Sequence, residues 1–125
     1  MSYIEGFLIP VPTANKDRFI AYAREIDPIF LEYGAKRVWE CWGDEVQHGK
    51  QTDFFRAVEA KDDETVCFSW IEWPDKATRD AQMAALMDLM ENDPRFDQEQ
   101  NPVPFDGKRM IFGGFQPVVA LGEWP

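Results

Sequence analysis

Four charged and two aromatic side chains could do chemistry together if the strands that carry them face one space: Glu40, Glu72, Arg56, Arg109, Trp42 and Trp70. Two carboxylates divide the roles of proton donor and acceptor when their surroundings push their pKa values apart, and Glu40 with Glu72 is the pair placed for it. Strand side chains alternate between faces, so parity sorts the strand residues into two sets. Ile4, Leu8, Trp39, Cys41, Cys67, Ser69, Ile71, Met110 and Phe112 are small or apolar and suit the underside of helices. Glu5, Phe7, Glu40, Trp42, Trp70, Glu72, Arg109 and Phe115, with Arg56 joining them, mix acids, arginines and large aromatics. An apolar wall with a few polar groups is the make-up of a small-molecule pocket. The same charges could instead pair across neighbouring strands and neutralise one another at a dimer interface. Both readings stand at this level.

Other chemistries lack their residues. His48 is the sole histidine and lies in a polar loop beside Gly49, which excludes a three-histidine metal site and suits no haem ligand. Thr52, Thr65 and Ser69 lie in or beside strands without the context of a nucleophile elbow. Gly113-Gly114 falls inside a strand rather than before a helix, so no phosphate loop is present. No metal or cofactor is expected. Cys41 and Cys67 sit in strand-like runs without the spacing of a metal or redox pair, and read as free, buried, reduced thiols.

The elements that must position these residues follow from apolar periodicity and breakers. Tyr3 to Pro10 reads as the first strand, ended by the prolines at 10 and 12. Phe19, Ala23, Ile26, Phe30 and Tyr33 recur at helical spacing over Lys16 to Tyr33, with Asn15 as cap, a break near Asp27 ahead of Pro28, and Gly34 as the stop. Ala35 to Val46 reads as the second strand. Asp53 to Ala60 reads as a separate strand or a bent continuation of it, joined through an acidic hairpin to Thr65 to Trp73. Asp75 caps a helix over Lys76 to Glu91 with Ala77, Ala81, Ala84, Met87 and Met90 on one stripe, and Met83, Met87 and Met90 read as core filler. Arg109 to Val118 is the last strand. The order β-α-β-(β)-β-α-β over residues 1–125 predicts one α+β domain, a ferredoxin-like sandwich with an antiparallel sheet and both helices on one face. Strands apolar on both faces leave the second face to be covered, and a second copy of the chain is the economical cover.

The segments RVWECWGDEV with GKQTDFFRAV, then FSWIEWPDKATRDA, then DPRF and PFDGKRMIFGGFQPV, resemble the YbaA-like family within the dimeric α/β-barrel superfamily, over residues 2–119. The resemblance implies a ferredoxin-like protomer whose sheet packs on a partner's sheet, and it carries no activity with it. Some members of that superfamily are cofactor-independent oxygenases whose sites resemble a tryptophan flanked by asparagines on the sheet. Asn15, Asn92 and Asn101 all fall in cap or loop positions here, so that activity does not carry over residue by residue.

Composition bounds the remaining classes. With 13 basic and 23 acidic residues in 125, the net charge of −10 repels nucleic acid and anionic lipid surfaces. No apolar run approaches the ~20 residues of a membrane span, and MSYIEGFLIP lacks the order of a secretory signal. The expectation is a cytoplasmic homodimer that either binds or converts a small aromatic-type molecule in a pocket at the sheet and dimer face, or is a non-catalytic interaction module.

Overall fold

The computed structural model describes residues 2–123. Strand β1 runs from Tyr3 to Pro12, two residues past the expected end. Thr13 N–H donates to the Asp63 carbonyl at 2.9 Å, continuing the β1–β3 register, so odd-numbered residues of β1 turn their backbone groups toward β3. Pro10 and Pro12 therefore turn their imide nitrogens to the other side, where pairing with β4 has already ended at Leu8. The prolines interrupt nothing because no ladder bond is asked of them.

Helix α1 (Lys16–Ile26) has Asp17 in its first turn, which favours the positive end of the helix dipole. Asn15 does not cap it; its side-chain amide donates instead to the Pro104 carbonyl at 3.0 Å, tying the helix start to the distant loop. The break falls at Asp27 as expected, and α2 (Pro28–Glu32) restarts with Pro28 in its first turn, where a missing N–H costs nothing. Gly34 takes the left-handed conformation (φ 104°) that stops the chain after it.

Strand β2 is Arg37–Trp42, shorter than expected. The segment Asp53 to Ala60 is not a strand. Asp53 accepts a 2.8 Å hydrogen bond from Arg56 N–H and a 3.1 Å bond from Gly49 N–H, and this cap outweighs the β preference of two phenylalanines to make a short helix, α3 (Phe54–Ala57). The acidic connection after it leads from a helix rather than a hairpin into β3 (Glu64–Trp73). Asp75 caps α4 (Lys76–Asn92) by accepting from Thr78 N–H at 2.7 Å. Its buried stripe is not the alanine–methionine one: Leu86 is buried with Met83 and Leu89 packed beside it, whereas Met87 and Met90 are exposed. Strand β4 is only Ile111–Phe115, and Arg109 precedes it in a 3-10 turn.

The four strands form one antiparallel sheet in the order β2-β3-β1-β4, the βαββαβ arrangement of a ferredoxin-like α+β fold. Two core clusters lie under the helices. Ile29 and Leu86 pack on Ile71 and Trp73; Phe19 packs on Ile9, Val11 and Cys67. The helix-covered face is therefore built from odd residues of β1 and β3 and even residues of β2. Parity alone had grouped Ile4, Leu8, Trp39 and Cys41 under the helices, and the register puts those four on the opposite, open face. Glu5, Phe7, Glu40 and Trp42 lie on the covered side instead. Glu5 is accommodated there because Trp73 Nε1 donates to it at 2.8 Å and Arg79 stands at 3.5 Å.

Candidate functional site

The open face is a grid set by register. Its rows, read from β2 through β3 and β1 to β4, are Arg37, Glu72, Ile4, Phe115; then Trp39, Trp70, Gly6, Gly113; then Cys41, Phe68, Leu8, Ile111. A hollow of ≈ 1200 Å³ lies over it, and Phe54 is the one helical residue at its margin. Trp39 stacks on Trp70 with ring centres 5.5 Å apart and planes at 7°, while Phe68 meets Trp70 edge-on, also at 5.5 Å. Beside this aromatic wall, Gly6 and Gly113 carry no side chain and the Phe115 ring packs over them, 3.5 Å from where a Cβ at either glycine would stand. The segment after β4 runs along the hollow, with Val119 and Leu121 facing it and largely exposed.

Within this apolar setting sits one charged pair. The Glu72 side chain is only 2% exposed, and its Oε2 lies 3.3 Å from Arg37 Nε. Its second oxygen, Oε1, and the Trp70 indole N–H are both buried without a hydrogen-bond partner among the described residues.

A second, smaller groove of ≈ 640 Å³ runs between the α1–α2 junction and β2 on the covered side. Phe19, Leu31, Val38 and Trp42 supply its apolar wall, and Arg24, Lys36 and Arg37 line it as well. The helix break delivers Asp27 into it and β2 delivers Glu40. Ser69 Oγ donates to Glu40 Oε2 at 2.9 Å. Burial, then the Glu40 charge, then a hydrogen bond donated to Glu40 push the Asp27 carboxyl up to about 8. Glu40 is raised too, chiefly by the protein around it, although hydrogen bonds from Ser69 and Asp27 work against the rise. Glu40 lies on an edge strand and keeps contact with water, so the shared proton resides on Asp27. A carboxyl that holds its proton near neutral pH can give or take one in a reaction. Asp27 was legible in the sequence only as the place where a helix breaks.

The six nominated residues thus divide. Trp70 and Glu72 share the open-face hollow, and Glu40 and Trp42 share the groove. Arg56 sits in α3, half-exposed, with Nε 3.8 Å from the Asp53 carboxylate. Arg109 grips Glu64 with two hydrogen bonds of 2.6 Å and Asp106 with one of 3.0 Å, closing the loop beneath β3. Its two carboxylate partners hold the guanidinium well above its usual pKa. His48 is exposed and stacks on Phe55 with ring centres 4.3 Å apart. No group of three His, Cys, Asp or Glu among the described residues could hold a metal, and no helix among them is long and apolar enough to cross a membrane. Both cysteines are free. Cys67 is fully buried and its thiol is pushed up to about 12 by burial, while Cys41, on the open face, is only partly buried.

Comparison with known proteins agrees with this architecture. The profile described as protein of unknown function (DUF1428) matches residues 2–107, and the chain belongs to that family. It is 45% identical over 119 residues to the uncharacterized protein YbaA of Escherichia coli K12, covering 95% of this chain and 98% of that one; the YbaA of Shigella flexneri matches equally. A solved structure described as a dimeric ferredoxin-like protein, from an uncultured marine organism, superposes with a TM-score of 0.56 over 98% of each chain at 12% identity. That likeness concerns the fold.

Proposed function

We infer that this member of the DUF1428 family works as a face-to-face homodimer in the cytoplasm that encloses a small aromatic-type molecule over the open sheet face. The observation that carries this reading is the face itself. Ile4, Leu8, Phe68, Ile111 and Phe115 lie on it with no helix above them, and Phe68 and Phe115 are 46% and 60% exposed in the single chain. Apolar surface of that extent on a soluble protein marks an interaction site. A second sheet laid on it would close the two α/β layers into a barrel-like sandwich, and the superposing structure is itself described as dimeric. The hollow of ≈ 1200 Å³ over the face gives room for a ligand beside Trp70 and Glu72. Of the six nominated residues, those two are assigned ligand contact. Glu40 and Trp42 belong to the neighbouring groove, and Arg56 and Arg109 hold loops.

The Arg37–Glu72 pair favours a second reading, an interaction dimer without ligand, in which that pair only neutralises itself at the interface. One experiment separates them. Light scattering at micromolar concentration is expected to give twice the 14.5 kDa chain mass, and Phe68→Glu to give the monomer. Tryptophan fluorescence titrated with aromatic compounds is expected to respond in the wild-type dimer. A stable wild-type monomer defeats both readings, and a dimer that answers to no aromatic compound leaves the interaction module.

A further inference from the structure

Glu72 and Trp70 stand two residues apart on β3 and so share a face of the sheet, and both line the open-face hollow. The Glu72 side chain is 98% withdrawn from water, yet its Oε1 bonds to nothing among the described residues, and the Nε1–H of Trp70 in the same hollow is likewise buried and unpartnered. A buried acceptor and a buried donor left open are costly to the fold, and apolar residues of like size would cost less. Their chemistry specifies what would satisfy them. A carboxylate oxygen only accepts and an indole N–H only donates. A carbonyl would serve Trp70 alone and an ammonium would serve Glu72 alone, whereas a hydroxyl can donate to Glu72 and accept from the indole N–H on the same oxygen. Charge narrows the class further, because Arg37 already offsets Glu72 at 3.3 Å, so no cation is called for, and an anion would meet the carboxylate head-on. The flanking surface, Phe68 edge-on to Trp70 with Ile4, Leu8 and Phe115 around it, suits a flat apolar body.

We propose that Glu72 Oε1 and Trp70 Nε1 form the recognition pair for the hydroxyl of a neutral aromatic alcohol of the phenol or naphthol type. The assignment rests on the preceding reading that the hollow takes an aromatic molecule. The test is calorimetric titration of the full-length protein with naphthol and, separately, with its methyl ether, which keeps the flat body and the accepting oxygen but has no proton to give. The expected result is a preference for naphthol of about tenfold or more, the worth of one hydrogen bond to a charged acceptor. Glu72→Gln reduces that preference several-fold, since the bond loses its charge. Trp70→Phe weakens both compounds alike, because both can accept from the indole. Equal affinity of the wild-type protein for the two compounds overturns the hydroxyl assignment while leaving an aromatic-binding hollow in place. Binding of neither overturns the assignment and the reading beneath it together. The wild-type comparison needs no variant to fold.

Discussion

The two hollows of this sheet deal with a carboxyl group removed from water in opposite ways. On the open face Glu72 is almost wholly buried with a guanidinium 3.3 Å away. In the groove between α1 and β2, Asp27 faces another carboxyl and keeps its proton. The choice follows from the neighbours that each strand supplies. Register places Arg37 directly across from Glu72, whereas three residues along β2 the same strand places Glu40 within reach of the helix break. The shared proton makes the groove responsive to pH near neutrality.

The sharpest way to break this contrast is to remove one partner on each side. Arg37→Met leaves Glu72 buried and uncompensated and is expected to cost about 3 kcal/mol in chemical denaturation at neutral pH. Asp27→Asn replaces a carboxyl that must take up a proton on folding with an amide that need not, and is expected to leave stability unchanged or raise it under the same conditions. Similar losses in the two variants would abolish the distinction.

The next effect is a pH dependence confined to the groove. The unfolded chain ionises Asp27 near its ordinary 3.8, and the folded chain near 8. Between those values the folded state holds a proton that the unfolded state has released, so stability falls as pH rises, by about 1.4 kcal/mol per unit at most. The contribution is complete below about pH 4 and gone above about 8. Denaturant midpoints measured from pH 5 to 8 should decline in the wild-type protein and flatten in Asp27→Asn. The lowered carboxyls of Asp53 and Asp75 act in the opposite sense, losing their contribution only in acid, outside that interval.

Thiol chemistry compares the two faces directly. Cys67, on the covered side, is pushed up to about 12 and fully buried, so it should react with a disulfide reagent only after denaturation. Cys41 lies on the other face, so in the monomeric Phe68→Glu variant it should label about tenfold faster than Cys67 or more. Parity of the two labelling rates would mean that the faces are equally covered. The smallest effect concerns the glycines beneath Phe115. A Cβ at Gly6 would meet the Phe115 ring at an ordinary 3.5 Å, so Gly6→Ala should change stability by less than about 0.5 kcal/mol, showing that folding does not demand a glycine there.

Most elements could be read from local chemistry because local chemistry decided them. The restart at Pro28, the stop at Gly34 and the Asp75 cap all lie where the residue types require. The segment at Asp53 was misjudged because one side chain accepting Gly49 and Arg56 N–H overrides a β-rich run. The site suffered from a different loss. Parity orders side chains within a strand, and it says nothing of which parity of one strand lies beside which parity of the next. That is fixed by pairing, and the pairing of β2 with β3 joins odd residues to even ones: Arg37 to Glu72, Trp39 to Trp70. One inversion moved Glu40 and Trp42 under the helices and brought Trp39 and Cys41 into the open.

The two prolines of β1 bear on how copies of this chain can meet. Beyond Leu8 the even residues of the strand have no β4 partner and lie against the turn at Gly107–Arg109, with carbonyl oxygens at Pro10 and Pro12 and no N–H on that side. An incoming strand needs alternating donors and acceptors to add itself to a sheet, and this stretch offers acceptors alone. Strand addition is thereby blocked along this stretch of β1, and the open edges of the sheet are confined to β2 and the short β4.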